Sequence, residues 1–200
     1  MKKVVGGTGF YDLISTVYNP CLDWVFNPGR KKVADVLNCQ NNLKILEIGS
    51  GTGSFVKFLN FDSNYVGIES SSRMFDVSKR DYPNHLFLNT KYEDYQTLDK
   101  FDIIVINYTL SVVDDPIDLM KTIYDWLDIG GKVYIVNHFS ADNLLYKLLQ
   151  RVSIYFGYNA YFPFSPNLFS NYFNITIFES VNLFGGWKFI ELTPKGNEQE

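Results

Sequence analysis

Residues 43–53 read LKILEIGSGTG, an apolar run of strand-forming residues that leads directly into three glycines. In an open parallel sheet, a tight turn of this kind lies at the carboxyl edge, where ligands bind. Gly49 and Gly51 allow the backbone to turn and to approach a ligand closely, because they carry no Cβ atom. We therefore expect a ligand site where the first strand of a parallel sheet ends.

Beyond this turn, short β-rich runs alternate with helical patterns, which is typical of an α/β protein with a parallel, doubly wound sheet. The predicted strands are Leu43–Ile48, Tyr65–Glu69, His85–Asn89, Phe101–Asn107 and Lys132–Asn137, followed by an edge hairpin of Ile175–Ser180 and Lys188–Thr193. The predicted helices begin near Gly53, Ser72, Asp115 and Ala141. Gly130 and Gly131 are expected to separate the helix that starts at Asp115 from the fifth strand.

Two further helical patterns precede the sheet, at Phe10–Trp24 and Pro28–Leu37. Asn27 and Pro28 fit the N-cap and the first residue of the second helix. We expect residues 1–42 to form a helical lid, and residues 43–200 to form the body that contains the sheet, within one structural domain overall.

Composition narrows the class of protein. With 200 residues, of which 46% are hydrophobic and 20% charged, the chain fits one globular domain. A net charge of −4 argues against a dedicated nucleic-acid binder. The two cysteines, Cys21 and Cys39, form no C-x-x-C pair, so neither a disulfide framework nor a metal cluster is predicted. No apolar run approaches the ~20 residues that span a bilayer, and we expect a cytoplasmic protein.

The acids beside the glycine turn distinguish between two kinds of ligand. A dinucleotide site requires G-x-G-x-x-G, but here the third glycine, Gly53, comes one position early and Ser54 takes its place. Glu47, at the end of the first strand, would repel a pyrophosphate and attract a cationic ligand. Glu69 ends the second strand 22 residues later and is placed to accept hydrogen bonds from both ribose hydroxyls. The ligand that these residues favour is a cationic nucleoside.

This pattern resembles motif I and the acidic second-strand tip of the class I S-adenosylmethionine-dependent methyltransferases, over residues 43–137. The resemblance implies the Rossmann-like, seven-stranded fold of that class, a catalytic domain at residues 43–200, and S-adenosylmethionine as cofactor. It implies that Glu47 lies near the methionine amino group and that Glu69 holds the ribose. It also implies that the turn passes beneath the methionine and ribose through its cofactor-binding residues Gly49, Ser50, Gly51 and Gly53. The alternative is a glycine-rich turn with two solvated acids.

The same resemblance implies contacts with the adenine. Met74 would flank one face of the ring, although a methionine at this position also fits a helix core. Lys91 stands where many relatives have an aspartate that receives the adenine amino group. That contact is therefore assigned to the backbone near Tyr92 and Glu93, or to Asp94.

The transfer site is expected at the ends of the fourth and fifth strands. Asn107 would face the methionine part of the cofactor and the reacting groups. The residues that come after it, Tyr108-Thr109-Leu110, lack the two prolines of the N-P-P-Y loop of adenine N6-methyltransferases, so DNA methylation is disfavoured. His138 is a candidate for the catalytic base or for a substrate phosphate contact, and a purely structural histidine is the alternative.

The N-terminal segment resembles the soluble bacterial phosphatidylethanolamine N-methyltransferases. The likeness rests on the YD at residues 11–12 with Tyr18, on the F-x-x-G-R at 26–30 and on the V-N-H-F at 136–139, with Asn19 in place of a second aspartate. It implies that Tyr11 and Tyr18 cover the active site, and that Tyr18 and Arg30 bind a phosphate of the substrate. Basic residues near an amphipathic first helix would suit an anionic membrane surface, whereas the alternative is a lid packed on the sheet.

Three functions are consistent with these features. The first is N-methylation of phosphatidylethanolamine or its partly methylated forms, by a protein peripheral to the inner face of the membrane. The second is methylation of a soluble small molecule, and the third is a binding protein that keeps the cofactor-like turn as a vestige. Neither a metal nor a nucleic-acid partner is expected. Aromatic residues concentrated at 155–172 would line a lipid site or fill the core.

Overall fold

A computed structural model describes residues 26–60, 64–139, 162–181 and 186–196. The strands are β1 (Lys44–Ile48), β2 (Asn64–Glu69), β3 (Leu86–Asn89), β4 (Phe101–Asn107), β5 (Leu127–His138), β6 (Phe173–Ser180) and β7 (Trp187–Pro194). The helices are α1 (residues 26–37), α2 (Ser72–Asp81) and α3 (Pro116–Trp126).

The seven strands form one sheet in the order β3-β2-β1-β4-β5-β7-β6. Strands β1 to β5 are parallel, and β7 lies antiparallel between β5 and the edge strand β6. This confirms the predicted doubly wound α/β sheet with its terminal hairpin. The direction of winding reverses between β1 and β4, so the glycine turn after β1 lies at the crevice where open sheets of this kind bind ligands.

Both faces of the sheet are covered, because strand residues alternate between two apolar clusters. Leu46 and Ile48 of β1 belong to the cluster that contains the buried side of α3. Ile45 belongs to the opposite cluster, with Val33 and Leu37 of α1. The side chain of Glu47 shares the face of Ile45, so a carboxylate is directed under α1 at the carboxyl edge.

Two of the predicted helix starts are confirmed, because each has a side-chain cap. The Ser71 hydroxyl accepts a hydrogen bond from the Met74 backbone N–H at 3.3 Å, and α2 begins at Ser72. The Asp115 carboxylate accepts from the backbone N–H groups of Ile117 and Asp118, and Pro116 is the first residue of α3. Such caps stabilise a helix by about 1 kcal/mol.

Two other helix predictions are wrong. No α-helix begins near Gly53 in the described residues, where the chain makes turns and one 3-10 turn, Val56–Phe58. The Asn38 side chain binds the end of this segment, donating to the Phe58 carbonyl and accepting from the Asn60 N–H.

The predicted N-cap of α1 is also wrong. Asn27 is not an N-cap, since residues 26 and 27 are already helical and proline is tolerated in a first turn.

The fifth strand begins earlier than predicted. β5 starts at Leu127, directly after α3, and Gly130 and Gly131 lie within it rather than before it. The pairing with β4 shifts register between Phe101 and Ile103, and Gly130 takes a φ of 80° at this irregularity. A bulge therefore accommodates the glycines that the sequence suggests as a break.

The described part of the aromatic-rich segment lies in the core. Phe169 is fully buried in the α3-side cluster, and Phe162, Phe164 and Tyr172 pack against that cluster. Within the described residues no helix is long and apolar enough to cross a membrane. The predicted helices at Phe10–Trp24 and near Ala141 lie outside the described residues.

Candidate active site

The glycine turn after β1 is tied to the end of β2. The backbone N–H groups of Gly49 and Ser50 donate to the Ile68 carbonyl at 2.9 and 3.0 Å. Gly49 has a φ of 71°, and a Cβ atom added there would lie 2.3 Å from Thr109 Oγ1. The absence of a side chain at Gly49 therefore allows β1, β2 and the segment after β4 to converge at the sheet edge.

Glu69 is fixed at the tip of β2 by two backbone donors. Its Oε2 accepts from the Gly51 N–H at 2.8 Å and its Oε1 from the Ser71 N–H at 2.7 Å. An ionised carboxylate forms strong hydrogen bonds with hydroxyl donors as well as with backbone N–H groups. This arrangement fits the predicted role of Glu69 toward a ribose.

Glu47 is 1% exposed and holds a network at the end of β1. Its Oε2 accepts from the Tyr65 hydroxyl at 2.5 Å and its Oε1 from Asn107 Nδ2 at 2.8 Å. Burial raises the pKa of Glu47 to about 7, against these two hydrogen bonds and the charge of Arg30, which lower it. A carboxylate in such surroundings gains from a cationic ligand.

Helix α1 closes over this edge through the predicted F-x-x-G-R residues. The Phe26 ring lies 4.5 Å from the Tyr108 ring and stacks on Trp187 at 5.8 Å, between centroids. The Tyr108 hydroxyl donates to the Phe26 carbonyl at 3.1 Å. Arg30 is 8% exposed, and its charge acts on both Glu47 and Tyr65. The guanidinium packs over the Phe26 ring and donates to Asn27 Oδ1, within electrostatic range of the candidate site.

At Gly29, α1 lies close against Val136 of β5 and against Tyr108. A Cβ atom there would lie 2.2 Å from the Tyr108 hydroxyl and 2.5 Å from Val136 Cγ1. We expect Gly29→Ala to lower the free energy of unfolding by about 1 to 3 kcal/mol through overpacking. Hydrogen exchange of the amides in residues 26–37 is expected to become faster, as measured by mass spectrometry.

The matched control for this substitution is Gly196→Ala, since a Cβ atom at Gly196 meets nothing within 4 Å. The second variant, Gly29→Ala combined with Tyr108→Phe, removes the nearest clashing atom and is expected to recover part of the stability. Wild-type exchange rates in Gly29→Ala would contradict the packing described here.

His138 lies at the end of β5, opposite Trp187 in β7. Burial lowers the pKa of His138 to about 4. The imidazole is therefore neutral near pH 7, and a neutral imidazole offers one hydrogen-bond donor and one acceptor. A pKa this low opposes both a cationic phosphate contact and the acceptance of a proton near pH 7, so a hydrogen-bonding or purely structural role suits His138 better.

The remaining predicted residues occupy different surroundings. Met74 is buried, and its Sδ would lie 3.9 Å from a Cβ atom at Gly51, so it supports the turn from α2. A Cβ atom at Gly53 would lie 2.8 Å from the Phe87 ring, which is a packing contact.

Tyr92 is buried in the core, whereas Glu93 is exposed. Tyr11 and Tyr18 lie outside the described residues.

The sequence pattern missed three residues of this edge. Tyr65 binds Glu47, Tyr108 binds α1, and Thr109 Oγ1 donates to the Gly49 carbonyl at 3.3 Å. Tyr108 also takes a φ of 61°, which is uncommon for a residue other than glycine. None of the three belongs to a recognisable motif, and Tyr108 stood out only as a departure from N-P-P-Y.

Unsatisfied polar atoms offer a test of whether the edge fits the expected cofactor. Several buried side-chain atoms without a hydrogen-bond partner among the described residues lie at the carboxyl ends of β1, β4 and β5: Ser50 Oγ, Asn107 Oδ1, Ser111 Oγ and Asn137 Oδ1. Buried polar groups without partners are uncommon, so Asn107 Oδ1, whose amide is held by Glu47, and Ser50 Oγ within the glycine turn indicate a ligand site. Together with the carboxylates of Glu47 and Glu69, they fit a nucleoside that carries hydroxyls and a cationic amino-acid end.

Comparisons with known proteins agree with this geometry. Residues 24–181 match the family model described as methyltransferase domain. The chain is 31% identical over 115 residues to malonyl-[acyl-carrier protein] O-methyltransferase 1 of Ilyobacter polytropus, covering 52% of this chain and 43% of that protein. It is 27% identical over 129 residues to phosphoethanolamine N-methyltransferase 3 of Arabidopsis thaliana, covering 54% and 24% respectively. The chain thus spans less than half the length of these curated relatives.

Solved structures share the fold. A Thermotoga maritima protein described as an S-adenosylmethionine-dependent methyltransferase, possible histamine N-methyltransferase, has a TM-score of 0.72 at 21% identity, covering 94% of this chain and 99% of that one. The complex of DhpI with S-adenosylhomocysteine has a TM-score of 0.68 at 14% identity, covering 96% and 97%. The family match covers most of the chain and agrees with the candidate site at the carboxyl edge, so this chain belongs to the methyltransferase domain family, with S-adenosylmethionine as its cofactor.

Proposed function

We propose that this enzyme N-methylates phosphatidylethanolamine or its partly methylated forms, at the inner surface of a membrane. Asn107 carries the proposal. Its Oδ1 is buried at the end of β4 and has no hydrogen-bond partner among the described residues, whereas Nδ2 of the same amide is held by Glu47. An amide oxygen can accept a hydrogen bond from an amine N–H, and such a bond orients the nitrogen lone pair for attack.

Arg30 supports a phosphate on the acceptor. Its guanidinium is buried on the inner side of α1, close enough to Glu47 for its charge to act on that carboxylate. A guanidinium presents paired donors that match the oxygens of a phosphate. The similarity to a protein named phosphoethanolamine N-methyltransferase also favours an acceptor that carries an amine and a phosphate.

The chemistry requires little beyond alignment of the reacting groups. S-Adenosylmethionine, when bound, supplies a methyl group on a positively charged sulfur. The acceptor nitrogen forms the new bond to carbon as the carbon–sulfur bond breaks, and the methylated ammonium then releases a proton. Correct orientation alone contributes about 7 to 11 kcal/mol to such a reaction. His138, neutral and buried, is our candidate to orient the amine through a hydrogen bond, and the released proton passes to solvent because burial keeps the pKa of His138 too low to hold it.

A soluble small molecule is the second candidate acceptor, and the packing of α1 favours it. Phe26 and Arg30 are directed toward the sheet, and Lys32 forms an ion pair with Glu179 of β6 at 2.9 Å. These residues of α1 therefore pack against the sheet, where the helix covers the candidate site. A helix that packs on the sheet in this way needs no membrane contact, which favours a soluble acceptor.

The test is to incubate the enzyme with methyl-labelled S-adenosylmethionine and three acceptors in parallel. These are phosphatidylglycerol vesicles that contain phosphatidylethanolamine, the same vesicles with phosphatidylcholine instead, and phosphoethanolamine in solution. We expect label in the phosphatidylethanolamine vesicles only, and flotation of the protein with both kinds of vesicle because both are anionic. Label in phosphoethanolamine alone, without flotation, would reject the lipid acceptor in favour of the soluble one.

A further inference from the structure

Tyr65 in β2 reaches the carboxylate of Glu47 across the sheet. The register pairs Ile45 with Tyr65 and Glu47 with Gly67, so Tyr65 is a diagonal neighbour of Glu47 on the same face. Gly67 has no side chain to separate the two. Tyr65 is 4% exposed, and its hydroxyl lies 2.5 Å from Glu47 Oε2. The path of this side chain is thus set by the strand register.

Four residues, from β2, β4 and α1, act on the carboxylate of Glu47. Tyr65 and Asn107 donate hydrogen bonds to its two oxygens. The charge of Arg30 in α1 favours the ionised carboxylate, and the charge of Glu69 at the end of β2 opposes it. Burial also opposes ionisation, and the hydrogen bonds from Tyr65 and Asn107 are the strongest of the interactions that oppose the effect of burial.

We propose that Tyr65 is a positioning residue for the cofactor, which holds the Glu47 carboxylate in place and in its charged form beneath the glycine turn. Tyr65 does not touch the reacting atoms and acts through Glu47. The inference rests on the role of Glu47 toward the positive end of S-adenosylmethionine. It is independent of the acceptor, so it stands or fails separately from lipid methylation.

The first measurement is made on the protein without cofactor. Carbon-13 NMR of glutamate carboxyl groups, with the Glu47 signal identified by its loss in Glu47→Gln, gives the titration midpoint of Glu47. A phenol that donates to the charged form lowers this midpoint, and the wild-type pKa is near 7. We expect Tyr65→Phe to raise the midpoint by about one pH unit.

The second measurement is the dissociation constant of S-adenosylmethionine by calorimetry between about pH 5.5 and 7.5, below the range in which the amino group of the ligand loses its proton. In wild type, affinity should increase as the pH rises through the titration of Glu47. In Tyr65→Phe the same increase should begin about one unit higher, so that binding at pH 7 is weaker by about fivefold. In a Glu47→Gln background, Tyr65→Phe should change the affinity no further.

Tyr134→Phe is the matched control. Tyr134 is 1% exposed, lies in the same apolar cluster, and its hydroxyl is hydrogen-bonded to another carboxylate, Glu191. The loss of this hydroxyl should leave both the Glu47 midpoint and the pH profile of binding at their wild-type values. If Tyr65→Phe fails to fold, uniform labelling with 3-fluorotyrosine replaces it; the more acidic phenol is a stronger donor and should lower the Glu47 midpoint.

The outcomes separate the two parts of the proposal. An unmoved Glu47 midpoint in Tyr65→Phe, or in the fluorotyrosine protein, would show that Tyr65 does not control this carboxylate. A shifted midpoint with an unshifted binding profile would show that the carboxylate does not serve the cofactor. Either result overturns the positioning role.

Discussion

Replacing Glu69 with glutamine is expected to weaken S-adenosylmethionine binding by about two to three orders of magnitude. Each carboxylate oxygen of Glu69 accepts one hydrogen bond from a backbone N–H group, Oε2 from Gly51 and Oε1 from Ser71. A glutamine must turn its NH2 group toward one of these donors, which leaves that donor without a partner. It also removes the charge that would strengthen hydrogen bonds from the ribose hydroxyls. The dissociation constant, measured by calorimetry, reports the sum of these losses.

Glu191→Gln provides the control for this substitution. Glu191 is a buried carboxylate that accepts hydrogen bonds from Lys132 Nζ and Thr176 Oγ1, and it lies toward the opposite edge of the sheet. Its replacement should lower stability without changing cofactor affinity. If Glu69→Gln bound S-adenosylmethionine within threefold of wild type, the proposed role of the second-strand acid would be wrong.

Gly49→Ala is expected to have the second large effect, on both stability and binding. The new side chain would have to adopt a φ of 71° and would lie 2.3 Å from Thr109 Oγ1. Backbone strain and overpacking together should lower the free energy of unfolding by about 2 to 5 kcal/mol in chemical denaturation. The displaced turn should also weaken cofactor binding at least about tenfold, or 1.4 kcal/mol.

Alanine at position 130 separates the cost of backbone strain from the cost of overpacking. Gly130 has a comparable φ of 80°, but a Cβ atom there meets nothing within 4 Å. Gly130→Ala should therefore cost only about 1 to 2 kcal/mol of backbone strain and leave binding unchanged. Equal losses of stability and affinity in the two alanine variants would contradict the close approach at Gly49.

The parts of the structure that sequence reasoning predicted depend on neighbours along the chain. The apolar run before Gly49, the cap at Ser71 and the Asp115–Pro116 helix start each act within a few residues. The sheet topology could be predicted because alternating strands and helices permit few arrangements. The predicted helix near Gly53 was wrong: the chain forms one 3-10 turn there, and the end of that segment binds the side chain of Asn38, which is distant in sequence.

The candidate site was predicted only where a motif marks it. Glu47 and Glu69 stand at recognisable positions beside the glycines. Tyr65 was missed because its contact with Glu47 depends on the register of two strands, which no local pattern reveals. Likewise, the contact of Tyr108 with α1 joins residues 82 positions apart, so the reason for glycine at position 29 becomes visible only in the folded protein.

The central claim is that the positive nucleoside cofactor lies at the carboxyl edge of β1 and β2, between Glu47 and Glu69. The most direct test is a crystal structure of the protein soaked with S-adenosylhomocysteine, which keeps the ribose and the amino-acid end. Both ribose hydroxyls should lie within hydrogen-bond distance of the Glu69 carboxylate, with the amino-acid end toward Glu47 and Asn107. A ligand bound elsewhere on the protein, or one with its ribose turned away from Glu69, would contradict this claim.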